Sequence, residues 1–193
     1  MACGMGLAKF PLRSVCAMMV AGTVAAGVTA SLAAAPAALS STRPVRAAGA
    51  LQQAVLDAHR QARAQVGLPP LAWNDDLAAA ARDHAAMLAR IGALRHADQP
   101  PVEAQGENLW AGTRGAYAYR EMVAAWAEES ANFVNAPTPR FSRTGQWQDV
   151  GHYAQIVWRD TREVGCATAS DPREDYLVCR YRPAGNVVGR AAF

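Results

Sequence analysis

Apolar positions through residues 50–66 recur every three to four residues, with Leu51, Val55, Ala58, Ala62 and Val66 on one stripe, and predict a first helix. Gly67 ends it and Pro69-Pro70 prevents its resumption. A second helix opens after Asn74, a plausible N-cap, with Asp75 and Asp76 at the positive end of the helix dipole. Its apolar face reads Leu77, Ala81, His84, Leu88 and Ile91, and Gly92 is the stop. His84 reads as a packed core residue. A third helix is predicted over 116–133, where Met122, Trp126, Glu129 and Phe133 fall on one line. A carboxylate on a line with three large apolar side chains needs a partner, whereas Glu128, about 100° round the helix, reads as solvated. Residues 134–150 form a loop longer than a compact connection requires, the kind that rims a functional surface. The pattern then changes to strict alternation. His152, Ala154, Ile156 and Trp158 point one way and Tyr153, Gln155, Val157 and Arg159 the other, which predicts a half-buried strand with an imidazole at its entrance. A second strand-like run covers 176–181, after a turn at Asp171-Pro172-Arg173-Glu174 and before a Gly-punctuated tail over 183–193.

Composition refines this picture at the N-terminus. The chain has 193 residues, 51% hydrophobic and 18% charged, with a formal net charge of +3. Lys9 and Arg13, followed by an uncharged run from Ser14 to Thr42, read as a secretory signal over 1–37 with cleavage near Ala37. The run is long enough to span a membrane, but most of it is Ala, Gly, Ser and Thr, which favours a cleaved signal over an anchor. Residues 38–48 read as a flexible tail and 49–193 as one domain. Without the signal the balance is near neutral. It gives no electrostatic footprint for nucleic acid, and the mature form keeps no stable membrane span. Cys3 and Cys16 leave with the signal, so Cys166 and Cys179 remain on two neighbouring predicted strands. In an exported chain that even count favours a disulfide over two reduced thiols.

Taken together, G-H-Y-x-Q-x-V-W, then G-C-A, then Y-L-V-C-x-Y-x-P-x-G-N-x-x-G, spaced over 151–189, resemble the paired C-terminal signatures of the CAP superfamily. That superfamily comprises cysteine-rich secretory proteins, antigen 5 and plant pathogenesis-related proteins, and its domain is also called the SCP domain. Three earlier pieces resemble the same family. His59 and Arg63 match its first-helix pattern, with Arg60 where the family usually has Asn. G-E-N-L places Glu107 eleven residues after His96. W-x-x-E selects Glu129 through Trp126.

The resemblance implies an α+β fold, a CAP-type α-β-α sandwich whose small, mainly antiparallel sheet lies between helical layers. It also implies a Cys166–Cys179 disulfide, and a cleft that gathers His96, Glu107, Glu129 and His152. In the family the two histidines are the usual metal contacts, so His96 and His152 are the expected ligands of one divalent ion. Zinc suits imidazole donors. Glu107 and Glu129 would orient the rings, and they are the candidate bases if the site is catalytic. An arginine at position 60 would be placed to pair with a cleft carboxylate. The expected function is a secreted, extracytoplasmic binding module for a small apolar ligand, lipid or sterol-like, or for an extracellular protein partner. The alternatives are a zinc-dependent hydrolase and a non-catalytic structural envelope protein. Neither H-E-x-x-H nor G-x-S-x-G is present.

Overall fold

A computed structural model describes residues 49–99 and 104–193. The signal expected over 1–37 and the tail over 38–48 lie outside the described residues. Among the described residues, four α-helices, two short 3-10 segments and four strands follow one another. Helix α1 (Ala50–Gln65) ends where expected, at Gly67 with φ +72°. Its innermost face is more polar than the apolar stripe suggested: Val55, His59, Ala62 and Arg63 are buried, while Leu51, Ala58 and Val66 are only half-buried. Strand β1 (Ala72–Trp73) is a two-residue stretch that the sequence pattern gives no sign of. Helix α2 (Asp75–Ile91) is capped by the Asn74 side chain, which accepts from Leu77 N–H at 3.0 Å, and stops at Gly92 with φ +65°. Leu77, Ala81, His84 and Leu88 are buried as the periodicity requires, but Ile91 at the last turn is exposed.

Strand β2 (Gly106–Thr113) carries the G-E-N-L piece. Helix α3 (Tyr119–Ala127) is shorter than the 116–133 expectation and continues as a 3-10 segment, Glu128–Asn132. A second 3-10 turn, Trp147–Asp149, closes the long loop. Strand β3 (Glu163–Ser170) and strand β4 (Glu174–Arg182) form the terminal hairpin.

The strand expected over 151–158 is instead helix α4 (Gly151–Ile156). Alternation misleads here because the segment is enclosed: Tyr153 through Trp158 are all buried, so both sets of side chains face protein. An apolar run buried all round has no period of its own to report. What selects the helix is a partner for its first N–H groups, described below.

The sheet order is β1-β3-β4-β2. β3–β4 and β2–β4 are antiparallel ladders, and the two-residue β1 joins β3 in parallel. The fold is therefore α+β with a mainly antiparallel sheet. Successive β4 side chains alternate between two cores. Tyr176 and Val178 pack with Ala81, Ala85 and Leu88 of α2. Leu177, Cys179 and Tyr181 pack with Val55, Met122, Trp126 and Trp158 from the opposite helical layer. The disulfide joins Cys166 to Cys179, residues that face each other across the β3–β4 ladder. Closing a loop of that size contributes about 3 kcal/mol on the chain-entropy model. Among the described residues no helix is long and apolar enough to cross a membrane.

Candidate functional site

The four singled-out residues form two His–Glu pairs on either side of the edge strand β2. In the first, His96 Nδ1 lies 2.6 Å from Glu107 Oε1, and Ala97 N–H donates to the same oxygen at 3.1 Å. In the second, His152 Nδ1 lies 2.6 Å from Glu129 Oε1. The other carboxylate oxygen of Glu129 accepts the backbone N–H groups of His152 and Tyr153, each at 3.0 Å. Those are the opening amides of α4, otherwise unpaired, and the carboxylate acts as their cap. The partner that the Met122–Phe133 line demanded for Glu129 is thus His152. The ring of His152 also stacks on Trp126, with centroids 5.7 Å apart.

The two pairs are tied to each other through consecutive residues of β2. Glu107 holds His96, and the next residue, Asn108, donates its amide to the carbonyl of His152 at 3.1 Å. Asn108 also donates to the Tyr181 hydroxyl at 3.1 Å, and that hydroxyl meets His59 Nε2 at 3.0 Å. His59 Nδ1–H is taken by the Val55 carbonyl at 2.8 Å, so Tyr181 O–H donates to Nε2. A buried chain of hydrogen bonds therefore runs from α1 to the backbone of His152.

An ionised carboxylate can only accept, so each histidine must carry its proton on Nδ1. The lone pair then sits on Nε2, the atom a metal would take. His96 Nε2 is buried and has no hydrogen-bond partner among the described residues. An Nδ1 held by a carboxylate and a free Nε2 make His96 a suitable donor for a divalent cation, although among the described residues no group of three or more His, Cys, Asp or Glu side chains is gathered to hold one. Glu129 has donors on both carboxylate oxygens, whereas Glu107 takes its hydrogen bonds on Oε1 alone. Burial alone would raise the Glu107 carboxyl, but the His96 hydrogen bond, the Arg180 charge, the Ala97 N–H and His84 outweigh it and hold it below its ordinary value.

Arg180 is the residue the sequence reading missed. It faces Glu107 across the β2–β4 ladder, with Nη2 2.9 Å from Oε2, close enough for an ion pair though not aligned as a hydrogen bond. Both side chains are almost wholly buried. A signal existed: in Y-L-V-C-R-Y a charge interrupts a buried strand, and a charge there needs a counter-charge. Arg60 takes no part in the site. It pairs with Asp57 one turn back at 2.8 Å, exposed, and engages no cleft carboxylate. His84 is a core residue, as its apolar stripe implied, donating Nε2–H to Arg95 O at 2.8 Å. Its ring nevertheless lies 3.5 Å from Glu107.

The conspicuous C-terminal residues lock α4 in place. Gln155 accepts from Gly185 N–H at 2.8 Å and donates to Thr161 Oγ1 at 3.1 Å. Asn186, at φ +55°, donates to the Gly151 carbonyl at 2.9 Å. The G-x-x-x-Q and P-x-G-N pieces are therefore two halves of one clasp under His152.

Known proteins agree with this architecture. The model of the cysteine-rich secretory protein family, CAP, matches residues 56–181. Pathogenesis-related protein 1C of Nicotiana tabacum is 37% identical over 143 residues, spanning 74% of this chain and 80% of that protein. Pathogenesis-related protein 1 of Arabidopsis thaliana is 34% identical, spanning 74% and 82%. Among solved structures, that of NaASP2 with Zn2+ superposes with a TM-score of 0.61 at 21% identity, covering 76% of this chain and 86% of that one. At that identity the likeness concerns the fold alone. On its motifs, its sandwich and these matches, the chain belongs to the cysteine-rich secretory protein (CAP) family.

Proposed function

We propose that this CAP protein is an exported, non-catalytic binding module in which His96 and His152 hold one divalent cation, zinc by the chemistry of their donors. The observation that carries the reading is the engagement of both Nδ1 atoms by carboxylates at 2.6 Å, which leaves Nε2 of each ring as the basic nitrogen. That NaASP2 has been crystallised with Zn2+ is consistent with such a site on this fold. The hydrolase alternative asks Glu107 or Glu129 to act as base. Glu107, its carboxyl held low by its partners, is a poor base, and the Glu129 oxygens are already occupied by the His152 ring and two backbone amides.

For the bound ligand, a groove of about 710 Å³ between α1 and α3 is floored by Ala58, Ala62, Ala124 and Tyr153 and rimmed by polar side chains. Its size suits a small apolar molecule or the edge of an extracellular partner protein. Export rests on the signal-like N-terminus. Equilibrium dialysis of the purified exported protein against zinc, with metal content measured afterwards, should give one ion per chain. Solvent extraction of the same protein, followed by mass spectrometry, should release an apolar ligand. Metal-free protein after dialysis contradicts the cation site, and an empty extract contradicts the small-ligand reading.

A further inference from the structure

The two histidines are held by different means. Glu129 is fixed by backbone amides, so the His152 pair is part of the α4 terminus. Glu107 has one backbone donor, Ala97 N–H, and both that contact and the His96 ring use Oε1. Its other oxygen faces Arg180 at 2.9 Å, with His84 at 3.5 Å. His84 is already committed to the Arg95 carbonyl. Arg180 is thus the cation that offsets a carboxylate only 4% exposed, and it stands at the position directly across the ladder from it.

We propose that Arg180 is a positioning residue for His96: by holding the Glu107 carboxylate in place across the ladder, its guanidinium fixes the His96 ring as the Nδ1–H tautomer that presents Nε2 to a metal. The consequence for metal affinity rests on the cation site proposed above, but the tautomer itself does not. Carboxylates that orient a metal-ligating imidazole are worth about tenfold to hundredfold in affinity, and Arg180 would govern one such carboxylate. His152 has no comparable dependence, because no side-chain cation stands behind Glu129 among its described contacts.

Long-range nitrogen–proton NMR of the histidine rings tests this in the metal-free protein. In the unsubstituted protein His96 should show a protonated, strongly hydrogen-bonded Nδ1 and a pyridine-type Nε2. An Nε2–H tautomer there overturns the proposal without any variant. In Arg180→Gln, His96 should lose its single tautomer while the His152 pattern stays unchanged, and zinc affinity should fall at least tenfold. Arg180→Lys keeps the charge, is expected to fold even if the glutamine variant does not, and should restore the His96 pattern in large part. An unchanged His96 spectrum in folded Arg180→Gln overturns the proposal. Equal disturbance of His96 and His152 also overturns it, since that marks general loosening. A His96-specific change in a protein that binds no zinc upholds the positioning role and contradicts the cation site instead.

Discussion

Glu129 engages His152 twice: Oε1 accepts from the ring Nδ1 at 2.6 Å and Oε2 from the same residue's backbone N–H at 3.0 Å. One carboxylate thereby sets the ring's tautomer and starts the helix that carries the ring. Removing it in Glu129→Ala leaves the opening amides of α4 and the imidazole without their acceptor. The expected loss of stability is about 1–2 kcal/mol, as for other lost helix caps. Urea unfolding measures it, and a variant as stable as the parent contradicts the capping role.

Arg63 is the second point at which a charge organises the fold. It is fully buried, and its guanidinium donates to the carbonyls of Pro69 (2.6 Å), Ile156 (3.0 Å), Trp158 (2.8 Å) and Thr161 (3.2 Å). Burial, helped by the charge of Arg162, lowers its pKa to about 10, which still leaves it protonated at neutral pH. Arg63→Leu should cost about 3 kcal/mol or more, because buried carbonyls lose their donor. Arg63→Lys should recover only part, since a point charge cannot reproduce a planar fork of donors. Denaturation midpoints in the order parent, Lys, Leu are expected; a leucine variant matching the parent contradicts the account.

Gly165, within the E-V-G-C run, lets α2 lie directly on β3. A Cβ there would meet Ala78 N at 2.3 Å, Asn74 O at 2.4 Å and the Leu77 carbonyl carbon at 2.7 Å, all backbone atoms. Gly165→Ala should therefore cost about 3 kcal/mol and lower the melting temperature sharply. A shift of a degree or two would show that α2 is free to move away.

His59 predicts an acid sensitivity. Burial, reinforced by the charge of Arg63 and opposed by the hydrogen bond to Val55, lowers its pKa from 6.5 to about 4; the facing Tyr181 stays protonated because burial raises its own pKa. The unfolded chain thus binds the His59 proton at a higher pH than the folded one does. The neutral-imidazole contribution is complete above pH 6.5 and is lost as pH falls through about 4. It amounts to about 3 kcal/mol at most. Glu107, held below its ordinary value, adds its own loss only at more acid pH. His59→Gln should be less stable at neutral pH but should flatten the decline between pH 6.5 and 4.5, as followed by urea midpoints across that range. An unaltered slope contradicts the assignment.

Much of the helical layer was legible because α1 and α2 carry their own boundary signals, Gly67, Asn74 and Gly92. Glu129 could be found because a carboxylate on an apolar line requires a partner. His96 and Glu107 were found only through the family resemblance, since eleven residues of loop and strand separate them and no local period joins them. α4 was misread because its selecting interaction comes from Glu129, far away in sequence. β2 and β1 went unseen for a related reason: β2 is an edge strand in which the polar Glu107 and Asn108 interrupt the apolar alternation, one on each face, and β1 is too short to show a pattern. Arg60 drew attention by departing from a family pattern, while Arg180, set inside a conspicuous signature, holds the cleft carboxylate.

His96 and His152 are proposed to offer their Nε2 atoms to one divalent cation. Calorimetric titration of zinc into the domain from residue 49 onward, beside a His96→Ala/His152→Ala variant, tests it most directly. One equivalent bound at micromolar affinity by the parent and lost in the variant is the predicted result. No heat from the parent, or equal binding by both proteins, contradicts it.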